Sequence, residues 1–265
     1  MCRLFVYFNP NIEPFYLYNV IYQFDHSIIK QSYSESYTPY LKENRLNANI
    51  NADGFGIGWL NNFDNKFYKY KNTSPIWSDE NLYTISKNVK SNIIFAHIRA
   101  NLMGACAPVS LYNTHPFIIN NFMWMHNGCI CNFNDYKIEF ILNMDKDILK
   151  NIEGSTDTEY CFGLFLTYLK EKNDPILAIK KLINFVKELN LKSYLNFIFS
   201  NNNFLIATRV ILNDNQGQAI SLYYNKDKNI ISSEPMELKS NNWKVVPKNN
   251  MIYINKNEFK IIPCF

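Results

Sequence analysis

The chain has 265 residues, 47% of them hydrophobic, 19% charged and 16% aromatic, which suits one large globular domain or two small ones and excludes a disordered polypeptide. Its 27 basic and 23 acidic residues give a formal net charge of +4, scattered without the basic block expected of a nucleic-acid binder. No stretch approaches the roughly 18 consecutive apolar residues of a membrane helix, and "LFVYF" is broken by Asn9 and Pro10 too early for a secretion signal.

The expected location is therefore cytoplasmic, with most of the six cysteines free thiols. Continuous or alternating apolar runs predict strands at 3–8 (RLFVYF), 55–61 (FGIGWLN), 66–71 (KFYKYK), 92–100 (NIIFAHIRA) and 122–130 (FMWMHNGCI). Apolar residues recurring every three or four positions predict helices at 156–172 and 174–190. Asp174 is placed to cap the second of these, with Pro175 in its first turn. Three hairpins are predicted within 195–210, 219–233 and 250–259, turning at Asn- and Lys-rich loops. There is no repeat and no Gly-, Pro- or Ser-rich linker. Strands, a helix pair and more strands in one unbroken unit, 2–265, point to a layered α+β architecture.

Cys2 follows the initiator methionine directly. Removal of Met1 would leave a residue carrying both a thiol and a free α-amine. That amine, with a pKa of about 7.7–8.0, can take the thiol proton and later return it to a leaving amine. The plainer alternative is an incidental cysteine on a buried first strand. Other residues also have two readings. Asn127-Gly128 is equally a hairpin-turn dipeptide, and Arg99 at the end of an apolar strand would ordinarily be a surface ion-pair residue. Ser155, Thr156 and Asp157 ahead of Glu159 form a helix-capping pattern. The loop "NADGFGIGW", with Asp53 and Gly54, is glycine-rich but lacks the G-x-G-x-x-G phosphate spacing. His97, His115 and His126 lack an H-E-x-x-H pattern, and Cys129-x-Cys131 is too tight for common zinc motifs, so no metal and no other cofactor is expected.

Taken in order, "MC", "NADGFGIGWL", "FAHIRAN", "NTHPF", "HNGCI" and "STDTE" resemble the class II glutamine amidotransferases, which are N-terminal nucleophile hydrolases. The similarity is greatest to the small free-standing branch that includes γ-glutamyl hydrolases of glutathione degradation and ergothioneine synthesis. The later "SSEPM" and "MIYI" look like the ending of the same branch. The resemblance implies a four-layer αββα sandwich and hydrolysis of a γ-glutamyl amide. It casts Cys2 as nucleophile, and the Asn127 amide with the Gly128 N–H as the oxyanion hole. Arg99 would clamp the substrate α-carboxylate, Asp157 its α-ammonium, and Gly54 would let the backbone pass close to Cys2. Asp53, His97, His115 and His126 would act in support, packing around the site. The sequence departs from the larger enzymes at "RANLMGACAP", where they often carry Thr or Ser soon after the arginine. The implied partners are a small γ-glutamyl substrate and a separate synthase or peptidase subunit, with no nucleic acid or membrane. Two readings compete: a catalytically silent scaffolding subunit of the same fold, and a thiol redox or metal module built on Cys129, Cys131 and Cys161.

Overall fold

The computed structural model describes residues 2–10, 14–34, 50–100 and 107–265. Strand β1 (Arg3–Phe8) is followed by β2 (Phe15–Tyr16), a π turn (Asn19–Gln23), helix α1 (Ile28–Gln31), β3 (Phe55–Asn61) and β4 (Lys66–Asn72). Next come α2 (Glu80–Asn88), β5 (Lys90–Ser91), β6 (Ile93–Ile98), β7 (Phe117–Ile119) and β8 (Phe122–Ile130). Helices α3 (Phe133–Leu142), α4 (Lys146–Leu149), α5 (Asp157–Lys172) and α6 (Pro175–Glu188) lead into β9 (Ser193–Ser200) and β10 (Phe204–Leu212). The last strands are β11 (Tyr223–Asn225), β12 (Ile230–Ser232), β13 (Lys244–Val245), β14 (Asn250–Asn255) and β15 (Phe259–Pro263).

Seven strands pair in the order β13-β11-β12-β1-β6-β3-β4, and six in the order β15-β14-β10-β9-β8-β7. Neighbours run antiparallel, as in β1 with β6 and β8 with β9. Side-chain alternation then sorts each strand's residues between two faces. Leu4, Val6, Phe8 and Phe95 of the first sheet meet Met123, Met125, Ile198 and Leu205 of the second. The opposite face of the first sheet, with Phe5, Ile57 and Ile94, packs on Val20, Ile28 and Leu82 from the π turn, α1 and α2. The outer face of the second sheet, with Trp124, Phe197 and Phe199, packs on Phe162, Phe165, Leu182 and Ile183 of α5 and α6. The layers are therefore helix, sheet, sheet, helix, the αββα sandwich expected. Because β1 is covered on both faces, all six of its residues are buried, which explains why it reads as a continuous apolar run rather than an alternating one.

Both long helices start as their sequences dictate. Asp174 Oδ1 accepts from the N–H groups of Ile176 at 2.8 Å and Leu177 at 3.0 Å. For α5 the cap is Thr156, whose hydroxyl accepts from Glu159 N at 3.2 Å. Glu159 does not complete a reciprocal box; its carboxylate accepts instead from Glu153 N at 3.0 Å and Gly154 N at 2.6 Å. The turn reading of Asn127-Gly128 is overturned. Both lie within β8, opposite Asn196 and Leu195 of β9.

Candidate active site

Cys2 sits half-buried at the start of β1. Its sulfur lies 3.4 Å from the Ala100 N–H, which donates to it, and 3.7 Å from the Ala100 carbonyl. Ala100 is where it is because β6 pairs with β1, Ile98 facing Arg3. Together the two Ala100 contacts fix where the sulfur sits relative to the end of β6.

Arg99, beside Ala100, is only 7% exposed, so the surface ion-pair reading does not hold. Its guanidinium donates to the carbonyls of Pro108 at 3.1 Å and Ala107 at 2.5 Å, which fixes the plane of the fork. The backbone is braced from the other side: Arg99 N donates to Gly54 O at 2.8 Å, and Asp53 N to Arg99 O at 3.2 Å. Gly54 has a φ of +101°, and a Cβ there would lie 2.8 Å from Asn72 O and 3.2 Å from the Thr73 Cα. The tight approach that requires glycine is thus to the end of β4.

Asn127 follows Met125 by two positions, so its side chain shares the inter-sheet face. It is 1% exposed. Its Nδ2 donates to Ser233 Oγ at 3.4 Å, and its Oδ1 is buried with no hydrogen-bond partner among the described residues. Ser233 Oγ also accepts from Leu4 N at 3.0 Å. The amide on one sheet is thereby linked to the strand that carries Cys2 on the other. Gly128 is fixed by crowding: a Cβ there would overlap the Tyr194 carbonyl and lie 2.5 Å from His126 Nε2.

Beneath these residues lie the three histidines, all buried. His126 Nε2 donates to Tyr194 O at 2.8 Å, leaving Nδ1 to accept from the Thr158 hydroxyl at 3.1 Å. His97 Nε2 donates to His126 O at 3.0 Å and lies 3.0 Å from His115 Nδ1, which also accepts from His126 N at 3.4 Å. Burial pulls His97 down to about 3, and pulls His115 well below the ordinary imidazole value and His126 below it. All three are neutral at pH 7, so they serve as a rigid hydrogen-bonded spine joining β6 to β8.

Asp157 Oδ2 accepts from Ile130 N at 2.8 Å and Oδ1 from Thr158 N at 2.7 Å. Its carboxylate therefore sits two residues beyond Gly128, at the mouth of α5, while Thr156 does the capping. Lys71 on β4 donates to Thr114 O at 2.8 Å, and burial lowers its pKa to about 8; it ties the "NTHPF" segment to the first sheet. Cys129 and Cys131 are half-buried free thiols, whereas Cys161 is fully buried in α5 with its pKa pushed well up by burial. That argues against reactive chemistry at Cys161. Met1, Cys106 and the rest of "NLMGAC" lie outside the described residues. Sequence reasoning missed Ser233, Glu234 and the Ala100 N–H. Only "SSEPM" hinted at the first two.

This fold and this set of buried polar groups coincide with a known family. The chain belongs to the class II glutamine amidotransferases, whose family profile matches residues 29–213, beyond Cys2 and short of Ser233. It is an amidotransferase or amidohydrolase. Over 312 residues it is 28% identical to the probable glutamine amidotransferase DUG3 of Saccharomyces cerevisiae, a match covering 99% of this chain and 84% of that protein. A glutamine aminotransferase class-II domain protein from Silicibacter pomeroyi superimposes with a TM-score of 0.70 at 21% identity, over 99% of each chain. The Bacillus subtilis glutamine phosphoribosylpyrophosphate amidotransferase superimposes with a TM-score of 0.63 at 16% identity, over all of this chain and 49% of that one. Among the described residues no helix is long and apolar enough to cross a membrane.

Proposed function

We propose that this chain, acting as one domain over 2–265, hydrolyses the γ-glutamyl amide bond of glutamine or a γ-glutamyl peptide such as glutathione, with Cys2 as nucleophile once Met1 is removed. The observation that supports it most is the bridge through Ser233, which brings the Asn127 amide to the strand bearing Cys2. The α-amine of Cys2 accepts the thiol proton as sulfur attacks the side-chain carbonyl carbon. In the tetrahedral intermediate the oxygen carries the charge, met by the Asn127 Nδ2–H and the Gly128 N–H. One such donor lowers the barrier by about 3 kcal/mol. The C–N bond then breaks, and the amine returns its proton to the departing nitrogen, leaving a thioester. Water attacks the thioester through a second oxyanion, and glutamate leaves with the thiol restored.

Arg99 holds the substrate α-carboxylate, its planar fork suiting a bidentate pair, and Asp157 holds the α-ammonium. Both contacts read only the glutamate end, so the leaving group is free to vary. A separate synthase or peptidase subunit would use or remove what leaves. The test is release of ammonia from glutamine, and of an amine-bearing dipeptide from glutathione, by protein with a verified Cys2 N-terminus. Cys2→Ala is expected to abolish turnover and leave the melting temperature within a few degrees. Turnover by Cys2→Ala equal to that of the unsubstituted protein would eliminate the mechanism.

A further inference from the structure

The segment around Ser233 takes no part in the steps above, yet two successive side chains reach both halves of the site. Ser233 is 1% exposed and Glu234 0%. Ser233 Oγ accepts from Leu4 N at 3.0 Å and from Asn127 Nδ2 at 3.4 Å, and Ser233 N donates to Leu4 O at 2.9 Å. Two accepted bonds match the two lone pairs of a hydroxyl oxygen. Glu234 holds Arg3 Nε at 3.0 Å and His26 Nε2 at 2.9 Å, and Arg3 Nη1 in turn donates to the Cys2 carbonyl at 3.4 Å.

The terminal torsion of an asparagine is broad and two-fold. Turned over, the amide would present its carbonyl to a developing oxyanion and repel it. With Oδ1 lacking a partner among the described residues, Ser233 supplies the bond that restrains that torsion. We propose that Ser233 is a positioning residue for amide hydrolysis. Its hydroxyl oxygen sets the Asn127 amide relative to β1, while Glu234, through Arg3, sets the backbone of Cys2. This rests on the amidohydrolase reading given above.

The experiment is a double-mutant cycle of Ser233→Ala and Asn127→Ala, read as kcat and KM on whichever of glutamine and glutathione the unsubstituted protein cleaves. Ser233→Ala should lower kcat about 10-fold with KM changed less than about twofold, the pattern of misplaced transition-state contacts. In the Asn127→Ala background the same change should have an effect below about twofold, because the group through which Ser233 acts is gone. Equal losses in both backgrounds, or an unchanged kcat in Ser233→Ala, would overturn the proposal. Should Ser233→Ala fail to fold, Ser233→Cys, close in size but a weaker acceptor, replaces it in the same cycle. If the unsubstituted protein cleaves neither compound, the amidohydrolase reading falls on its own. Positioning is then decided by the 15N spectrum: Ser233→Ala must shift the Asn127 side-chain amide signal, and an unmoved signal refutes it.

Discussion

Strand β8 has two halves built on opposite principles. From Phe122 to Met125 it is held by shape: the Trp124 ring lies 4.7 Å from Phe197, 5.4 Å from Phe165 and 5.5 Å from Phe162, while Met123 and Met125 fill the space between the sheets. From His126 to Ile130 it is held by hydrogen bonds to Tyr194, Thr158, Ser233 and Asp157. The apolar half contributes stability in proportion to buried area. The polar half contributes orientation, and leaves the Asn127 oxygen without a partner among the described residues, at some energetic cost. One strand thus separates holding the fold from holding the chemistry.

That separation can be broken from either side. The largest expected effect is from Trp124→Ala, which should destabilise the fold by about 3–5 kcal/mol in urea unfolding while turnover per folded molecule changes less than about twofold. A collapse of specific activity in the folded fraction would show that the two halves are coupled. Asn127→Ala should do the reverse, lowering kcat on the order of 10²–10³-fold with stability altered by less than about 1 kcal/mol, since the lost amide was only half satisfied. A large fall in its unfolding midpoint would mean that the polar half carries the fold as well.

The smallest effect sharpens the contrast by pH. His97, His115 and His126 all have folded-state values below the unfolded value near 6.5, chiefly through burial. As pH falls through about 6.5 the unfolded chain takes up protons that the folded chain refuses. Stability is whole above that value and declines toward about 3, the value for His97. For His97 the slope should be on the order of 1 kcal/mol per pH unit. Urea midpoints that stay flat between about pH 7.5 and 5 would contradict a neutral histidine spine.

Much of this was legible in the sequence. The predicted strands at 3–8, 55–61 and 122–130 have the bounds found, because continuous burial or strict alternation leaves a clear period. Helices α5 and α6 announced themselves through Thr156, Asp174 and Pro175. Helices α2 and α3 did not, being only 9 and 10 residues long, with two buried residues each, so tertiary packing more than local pattern makes them. Of the candidate residues, Cys2, Arg99, Asn127, Gly128 and Asp157 were picked out by type and order. Ser233 could not be, since its partners stand 229 and 106 residues away in the chain, and no local pattern encodes a contact at that separation. At Gly54 the close contact with Asn72 and Thr73 was likewise hidden, because sequence order does not reveal that β4 folds back past it.

The pairing of β1 with β12, Val6 opposite Ile231, also has a temporal side. A growing polypeptide leaves the ribosome with its first strand made and one of that strand's two flanking partners more than two hundred residues from being translated. Until those residues emerge, an apolar ribbon ending in a thiol has an open edge. The nascent protein cannot close its working centre before residues 230–233 have been made, so chaperone cover over the early segment should matter more to its yield than the stability of the finished molecule would suggest.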